Sequence, residues 1–150
     1  MKKLKRSYGF TRDRAERISL NTQNAYLKKY SSEEPYLKLY IAVLDEVCDF
    51  MTPTLVAHSM LGAHLEFGDS SIDVFHNRSG SLYTKWLKES FRKCVVKVNR
   101  KEFEKIKQFE KVYLGHENTT LGGEKSCAVV YPVYSNNIPN VLKFAQLWSP

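Results

Sequence analysis

Histidine is the side chain whose charge changes nearest neutral pH. His58, His64 and His116 therefore mark where this chain of 150 residues could hold acid–base or metal chemistry. His58 and His64 lie six apart on one predicted helix, which turns them to different faces. A shared metal is not expected, and neither is a cofactor. His116 is followed by Glu117 and, two positions later, Thr119. An imidazole with a carboxylate and a hydroxyl is a set that general acid–base catalysis uses. A histidine on a mostly apolar helix also has a structural reading, hydrogen-bonded at the rim of a core. Leu121-Gly-Gly-Glu-Lys-Ser126 carries a Lys125–Ser126 pair, but it lacks the glycine spacing of a phosphate-binding loop and leads into a strand, so it reads as a turn. No pair of catalytic carboxylates, nucleophile elbow or dinucleotide fingerprint is present.

Positioning such groups requires a framework, and the apolar pattern supplies one. Tyr36 to Leu44 reads as a strand whose second half is apolar on both faces, as in a central strand covered from two sides. Thr52-Pro53 gives a helix cap followed by proline at the first helical position. The helix runs to about Phe67, with Val56, Met60, Ala63 and Phe67 on one face, while Leu55, Leu61 and Leu65 widen its apolar girth. Gly62 in its middle implies close packing against the sheet. Residues 68–80 read as a polar surface excursion and Ser81–Ser90 as a short helix. Arg92–Val98 is a second strand, and Asn99 with Glu102 has capping-box spacing ahead of a helix to about Phe109. Lys111–Leu114 and Ser126–Tyr131 are further strands. A last helix is expected from Pro139, with Val141, Leu142, Ala145 and Trp148 on its apolar side.

The order β-α-α-β-α-β-β-α predicts an α/β fold, a three-layer α/β/α sandwich around a four-stranded mixed sheet, with strand four antiparallel. It occupies residues 36–150. Residues 1–35 form a basic extension with a weakly amphipathic helix over Arg12–Tyr30, bounded by Ser31-Ser-Glu-Glu-Pro35.

Charge is uneven between these parts. Nine of the 23 Lys/Arg and two of the 16 Asp/Glu lie in residues 1–30, leaving fourteen of each sign in the rest. Lys2, Lys3, Lys5, Arg6, Arg12, Arg14 and Arg17 are thus candidate nucleic-acid contacts, with an acidic protein as the other polyanion of suitable charge. A purely solubilising extension is the bland alternative. No segment approaches the length of a membrane span. Cys48, Cys94 and Cys127 are an odd number without metal-ligand spacing, read as reduced thiols of a cytoplasmic protein.

Between about Lys38 and Pro132 the motifs fall in a recognisable order. An apolar strand leads to Val56-Ala-His-Ser59 on a buried helix. Trp86 then precedes Phe91-Arg-Lys-Cys-Val-Val-Lys-Val98, and a Glu-Phe helix leads to a Thr- and Gly-bearing loop and an apolar strand ending in proline. In this the chain resembles the second peptidyl-tRNA hydrolase family, the archaeal and eukaryotic type. It is also similar to small accessory proteins of T4-type bacteriophages. The hydrolase resemblance implies a site, and this sequence departs from it. The family's second loop lysine falls on Thr54, its glutamine on His58 and its aspartate on Gly115, while Thr119 matches. Gly123 and Ser126 fill the later positions only if the loop is one residue shorter. If the scaffold carries over, His58 faces a mouth formed by His116, Glu117 and Thr119. His58, Glu117 and Thr119 are then the candidate catalytic set, and Thr54, His116, Lys125 and Ser126 the candidate substrate contacts. The expectation is a hydrolase-like domain without the parent activity that binds RNA, tRNA or a protein. The alternatives are an active hydrolase of peptidyl-tRNA or a related ester or amide, and a phage-type host-interaction protein. Oligomeric state is open, a homodimer included.

Overall fold

The computed structural model describes residues 34–68 and 81–150. The expected basic helix, the seven candidate nucleic-acid contacts and most of the 68–80 excursion lie outside them. Among the described residues, Pro35–Pro150 belongs to one compact unit.

Its centre is β1, Leu37–Leu44, where every residue except Lys38 is buried. Consecutive strand residues point to opposite faces, so this run is covered on both sides. Strand β2, Arg92–Val98, lies parallel to it, pairing Ala42 with Val96 and Leu44 with Val98. On the other side β4, Cys127–Tyr134, runs antiparallel, pairing Ile41 with Val129. Strand β3, Val112–Gly115, pairs antiparallel with β4 and so shares the direction of β1. A fifth strand, β5, Gln146–Leu147, pairs antiparallel with β2. The order is β3-β4-β1-β2-β5. Strand four is antiparallel, as the short loop before it predicts, but the sheet has five strands rather than four.

The fifth strand replaces most of the expected last helix. Helix α4 is only Asn140–Lys143. Beyond it the Trp148 N–H donates to the Val95 carbonyl at 2.9 Å. The open backbone groups of β2 capture the chain there, because an unpaired strand edge offers hydrogen bonds that a further helical turn would forgo.

Helix α1, Thr52–Gly68, packs on β3 and β4. Gly62 lies under the Tyr113 ring, where an added Cβ would fall 2.1 Å from the phenol oxygen. The expected close packing is therefore present, and it accounts for the glycine. Two expectations for this helix fail. Thr52 is not its cap: a 3-10 turn, Asp49–Met51, runs straight into it, and the Thr52 hydroxyl donates back to the Cys48 carbonyl at 3.2 Å. Leu61 and Leu65 are exposed, although Leu55 and Ala63 are buried. The sheet covers one face of α1 alone, so a girdle of leucines cannot all be inside.

The segment read as one helix over Ser81–Ser90 is in two parts. Ser81 caps α2, Leu82–Lys85, accepting from the Thr84 N–H at 3.2 Å, and a π turn follows over Trp86–Ser90. The turn closes with the Phe91 N–H on the Trp86 carbonyl at 2.7 Å, which puts Phe91 in the left-handed region at φ 53°. For a bulky residue that conformation costs about 1 kcal/mol or more. Trp86 anchors it: its indole N–H donates to the Arg92 carbonyl at 2.7 Å. The Ser90 hydroxyl donates to the Leu37 carbonyl.

Helix α3, Arg100–Lys107, opens with both halves of the predicted capping box. The Glu102 N–H donates to Asn99 Oδ1 at 2.8 Å, and the Asn99 N–H to Glu102 Oε1 at 3.1 Å. Its inward residues, Phe103 and Ile106, are buried. No helix among the described residues is long and apolar enough to cross a membrane.

Candidate functional site

Ligands of open α/β sheets collect beyond the carboxyl ends of parallel strands. Here that edge is where β1, β2 and β3 end. Strand β3 delivers Gly115 and then His116-Glu117-Asn118, while His58 projects from the second turn of α1. These residues and Tyr113 line a cavity of about 320 Å³.

Its chemistry centres on one pair. His58 Nε2 lies 2.9 Å from Glu117 Oε2. The Glu117 side chain is 16% exposed and that of His58 60%, so the carboxylate forms the floor and the imidazole the lip. The carboxylate fixes the ring through Nε2, leaving Nδ1 as the nitrogen that can meet a ligand. The Thr119 hydroxyl donates to the other carboxylate oxygen, Oε1, at a long 3.4 Å. Next to the pair, Lys125 Nζ lies 3.1 Å from His116 Nδ1. A lysine can only donate there, so His116 accepts through Nδ1 and carries its proton on Nε2.

Thr119 and Lys125 touch Glu117 and His116 without lining the cavity themselves, and the remaining sequence candidates lie elsewhere. Thr54 is exposed on the first turn of α1 and does not line the cavity. Ser126 is fully buried, with its hydroxyl unpaired, and it too is absent from the lining. His64 is engaged by the Tyr83 hydroxyl at 2.8 Å. Among the described residues no group of three or more His, Cys, Asp or Glu could hold a metal ion.

Beneath the cleft the packing is tight. Ser59, one residue after His58, is buried, and its hydroxyl donates to the Leu55 carbonyl at 2.7 Å. A Cβ added to Gly115 would fall 2.0 Å from the Ser59 oxygen and 3.1 Å from the Ser59 Cα. The Cys127 thiol also bonds Ser59, yet burial dominates and pushes its pKa up to about 12. The three cysteines are free, with Cys48 exposed, Cys94 partly buried and Cys127 buried.

A second charged group at this edge escaped the sequence reading. Arg100 reaches Glu46 through Nε at 2.8 Å and Nη2 at 2.9 Å, and Glu124 through Nη1 at 2.6 Å. The Arg100 guanidinium holds the Glu124 carboxyl below the usual carboxylate range. The clamp ties the loop after β1, the start of α3 and the turn before β4. Its partners sit 54 and 24 residues away in sequence, a separation that no local motif signals.

No protein-family model matches this chain, and no curated protein does.

Proposed function

We propose that residues 36–150 are a divergent peptidyl-tRNA-hydrolase-2-like domain that binds a polar, anion-bearing ligand in the His58–Glu117 cleft and lacks the parent hydrolysis. RNA is the ligand class that the resemblance suggests, and a three-layer sandwich is the scaffold it implies. Burial of consecutive β1 residues on both faces supports that scaffold. The three free thiols suit a reducing, cytoplasmic setting.

The observation that carries this reading is the contact of Gly115 with Ser59. On the proposed alignment Gly115 stands at the family's aspartate, and Ser59 fills the space that any side chain there would need. The lysine position, Thr54, lies outside the cavity. A cleft without those two groups, but bearing two imidazoles with Lys125 beside them, still offers ring hydrogen bonds and the single positive charge of Lys125 to an anion-bearing ligand. The test is NMR of the His58 and His116 ring signals during titration with a short RNA oligonucleotide. Shifts at both rings, with weaker binding by His58→Ala, are expected. Unperturbed rings at saturating RNA would end the reading.

A second reading, an active hydrolase with a rebuilt site, draws on the 2.9 Å His58–Glu117 pair. An imidazole oriented by a carboxylate can take a proton from water as it attacks an ester carbonyl. Purified protein incubated with peptidyl-tRNA decides between the two. The first reading expects no turnover above background; turnover abolished by His58→Ala would replace it with the second.

A further inference from the structure

At the opposite end of the sheet, where β1 and β2 begin, the surface has a different composition. Between residues 85 and 93 four of nine side chains are Lys or Arg (Lys85, Lys88, Arg92, Lys93), against Glu89 alone. Three of these cations, Lys85, Arg92 and Lys93, lie against aromatic rings. Lys93 Nζ sits 3.4 Å from the centre of the Phe91 ring, and the Arg92 guanidinium 3.9 Å from that of Tyr36. Lys38, paired with Arg92 across the β1–β2 register, extends the positive edge.

Phe91 is the unusual member. It is 55% exposed, although the left-handed backbone it occupies disfavours a bulky side chain. Its ring lies 5.3 Å from that of Trp86, tilted by 30°. Trp86 is buried, and its indole N–H is held by the Arg92 carbonyl. An exposed aromatic on a rigid base, held in a strained conformation beside a π turn, is a combination associated with functional positions.

We propose that this end of the sheet is a platform for single-stranded nucleic acid, on which a base stacks against Phe91 and flanking phosphates meet Lys88, Arg92 and Lys93. Charge complementarity selects the partner. Cations paired with rings keep their full charge, so the surface attracts a polyanion. The exposed ring selects an anion with a flat apolar face, which a nucleobase has and a phosphate or carboxylate lacks. The platform is separate from the His58–Glu117 cleft and does not depend on the function proposed for it.

The test is fluorescence anisotropy of labelled short oligo(dT) and oligo(U) with the full chain at low salt. Inorganic polyphosphate serves as a probe of the same charge without bases. The N-terminal cations are present in every variant, so differences report this surface. Phe91→Gly should weaken oligonucleotide binding about tenfold or more, the usual effect of losing one base stack. It should leave polyphosphate binding unchanged, and Phe91→Trp should retain both. Arg92→Gln with Lys93→Gln should weaken both probes and lower the log–log salt slope by about 1.4, from two phosphate contacts on a single strand. Glycine suits the left-handed backbone; Phe91→Asn, also tolerated there, replaces that variant if its circular dichroism shows misfolding. Several outcomes overturn the proposal: no oligonucleotide binding by the full chain, binding unaffected by Phe91→Gly, or equal loss of both probes. Oligonucleotide binding lost only in His58→Ala would place the strand in the cleft instead. Phe91-dependent binding of polyglutamate in preference to oligo(dT) would assign the surface to an acidic protein.

Discussion

The two ends of the sheet use the same kinds of cation and pair them differently. At the carboxyl ends of β1 to β3, Arg100 faces Glu46 and Glu124, and His58 faces Glu117. At the amino ends Arg92 lies over Tyr36, Lys93 over Phe91 and Lys85 over Tyr134. A carboxylate cancels the field of its partner; an aromatic ring leaves it intact. The first end is therefore braced, its cations offset by carboxylates, while the second stays positive. Packing follows the same division. Gly115 meets Ser59 with no room for a Cβ, whereas Phe91 stands half in water.

Gly115→Ala should give the largest effect, a loss of about 2–3 kcal/mol from overpacking, read by urea denaturation. Adding Ser59→Gly should recover part of it, because the two sites share one space. Equal stability of Gly115→Ala and the parent would show that the carboxyl end is as loose as the other.

The next effect concerns pH. Cys127 titrates near 12 in the folded chain, above its ordinary value of 9.0. The folded state holds that proton more tightly, so the contribution is complete below pH 9 and is lost as pH rises toward 12. Between pH 9 and 10.5 the parent should lose roughly 1–2 kcal/mol more than Cys127→Ala does. Parallel stability curves would mean that the thiol is more open than its burial indicates.

Arg100→Gln should have a smaller effect, present at neutral pH and vanishing in acid. The depressed Glu124 carboxyl stabilises the fold above its unfolded pKa and ceases to do so as pH falls through the folded value. The variant should lack that component of the acid-side slope. An unchanged slope would mean that the clamp is electrically idle.

Phe91→Gly should change stability least, by less than about 1 kcal/mol, since relief of the left-handed strain offsets the lost ring contacts. A loss of several kcal/mol would make Phe91 a packing residue and erase the contrast between the ends.

Much of this framework is legible in local patterns. The two-sided burial of β1, the Asn99–Glu102 box and the Gly62 contact each follow from residues adjacent in sequence or on one face of one element. The features that escape depend on distant partners. β5 is two residues whose pairing is decided by the open edge of β2. The turn after Trp86 departs from an ordinary helix because Ser90 and Trp86 bond the flanking backbone. Leu61 and Leu65 look like core residues until the sheet proves to cover only one side of α1. At the site, His58 and Glu117 do meet, while Thr54 and Ser126 stay outside the cavity. The Arg100 clamp has no signature at all, being three charges from three segments.

The strand order also sets a timetable for the chain during its synthesis. β1, the central strand, is the first of the five to leave the ribosome, and its neighbour β4 ends 90 residues after it, at Tyr134 against Leu44. At ordinary elongation rates this interval is on the order of 5–20 s. Until then Leu39-Tyr-Ile-Ala-Val-Leu44, apolar on both faces, has no permanent cover on its β4 side. Unsatisfied hydrogen bonds combined with a greasy surface are what trigger-type chaperones and neighbouring nascent chains bind. Expression level in this protein should therefore be governed less by the stability of the finished fold than by what shields one eight-residue strand while the rest is made.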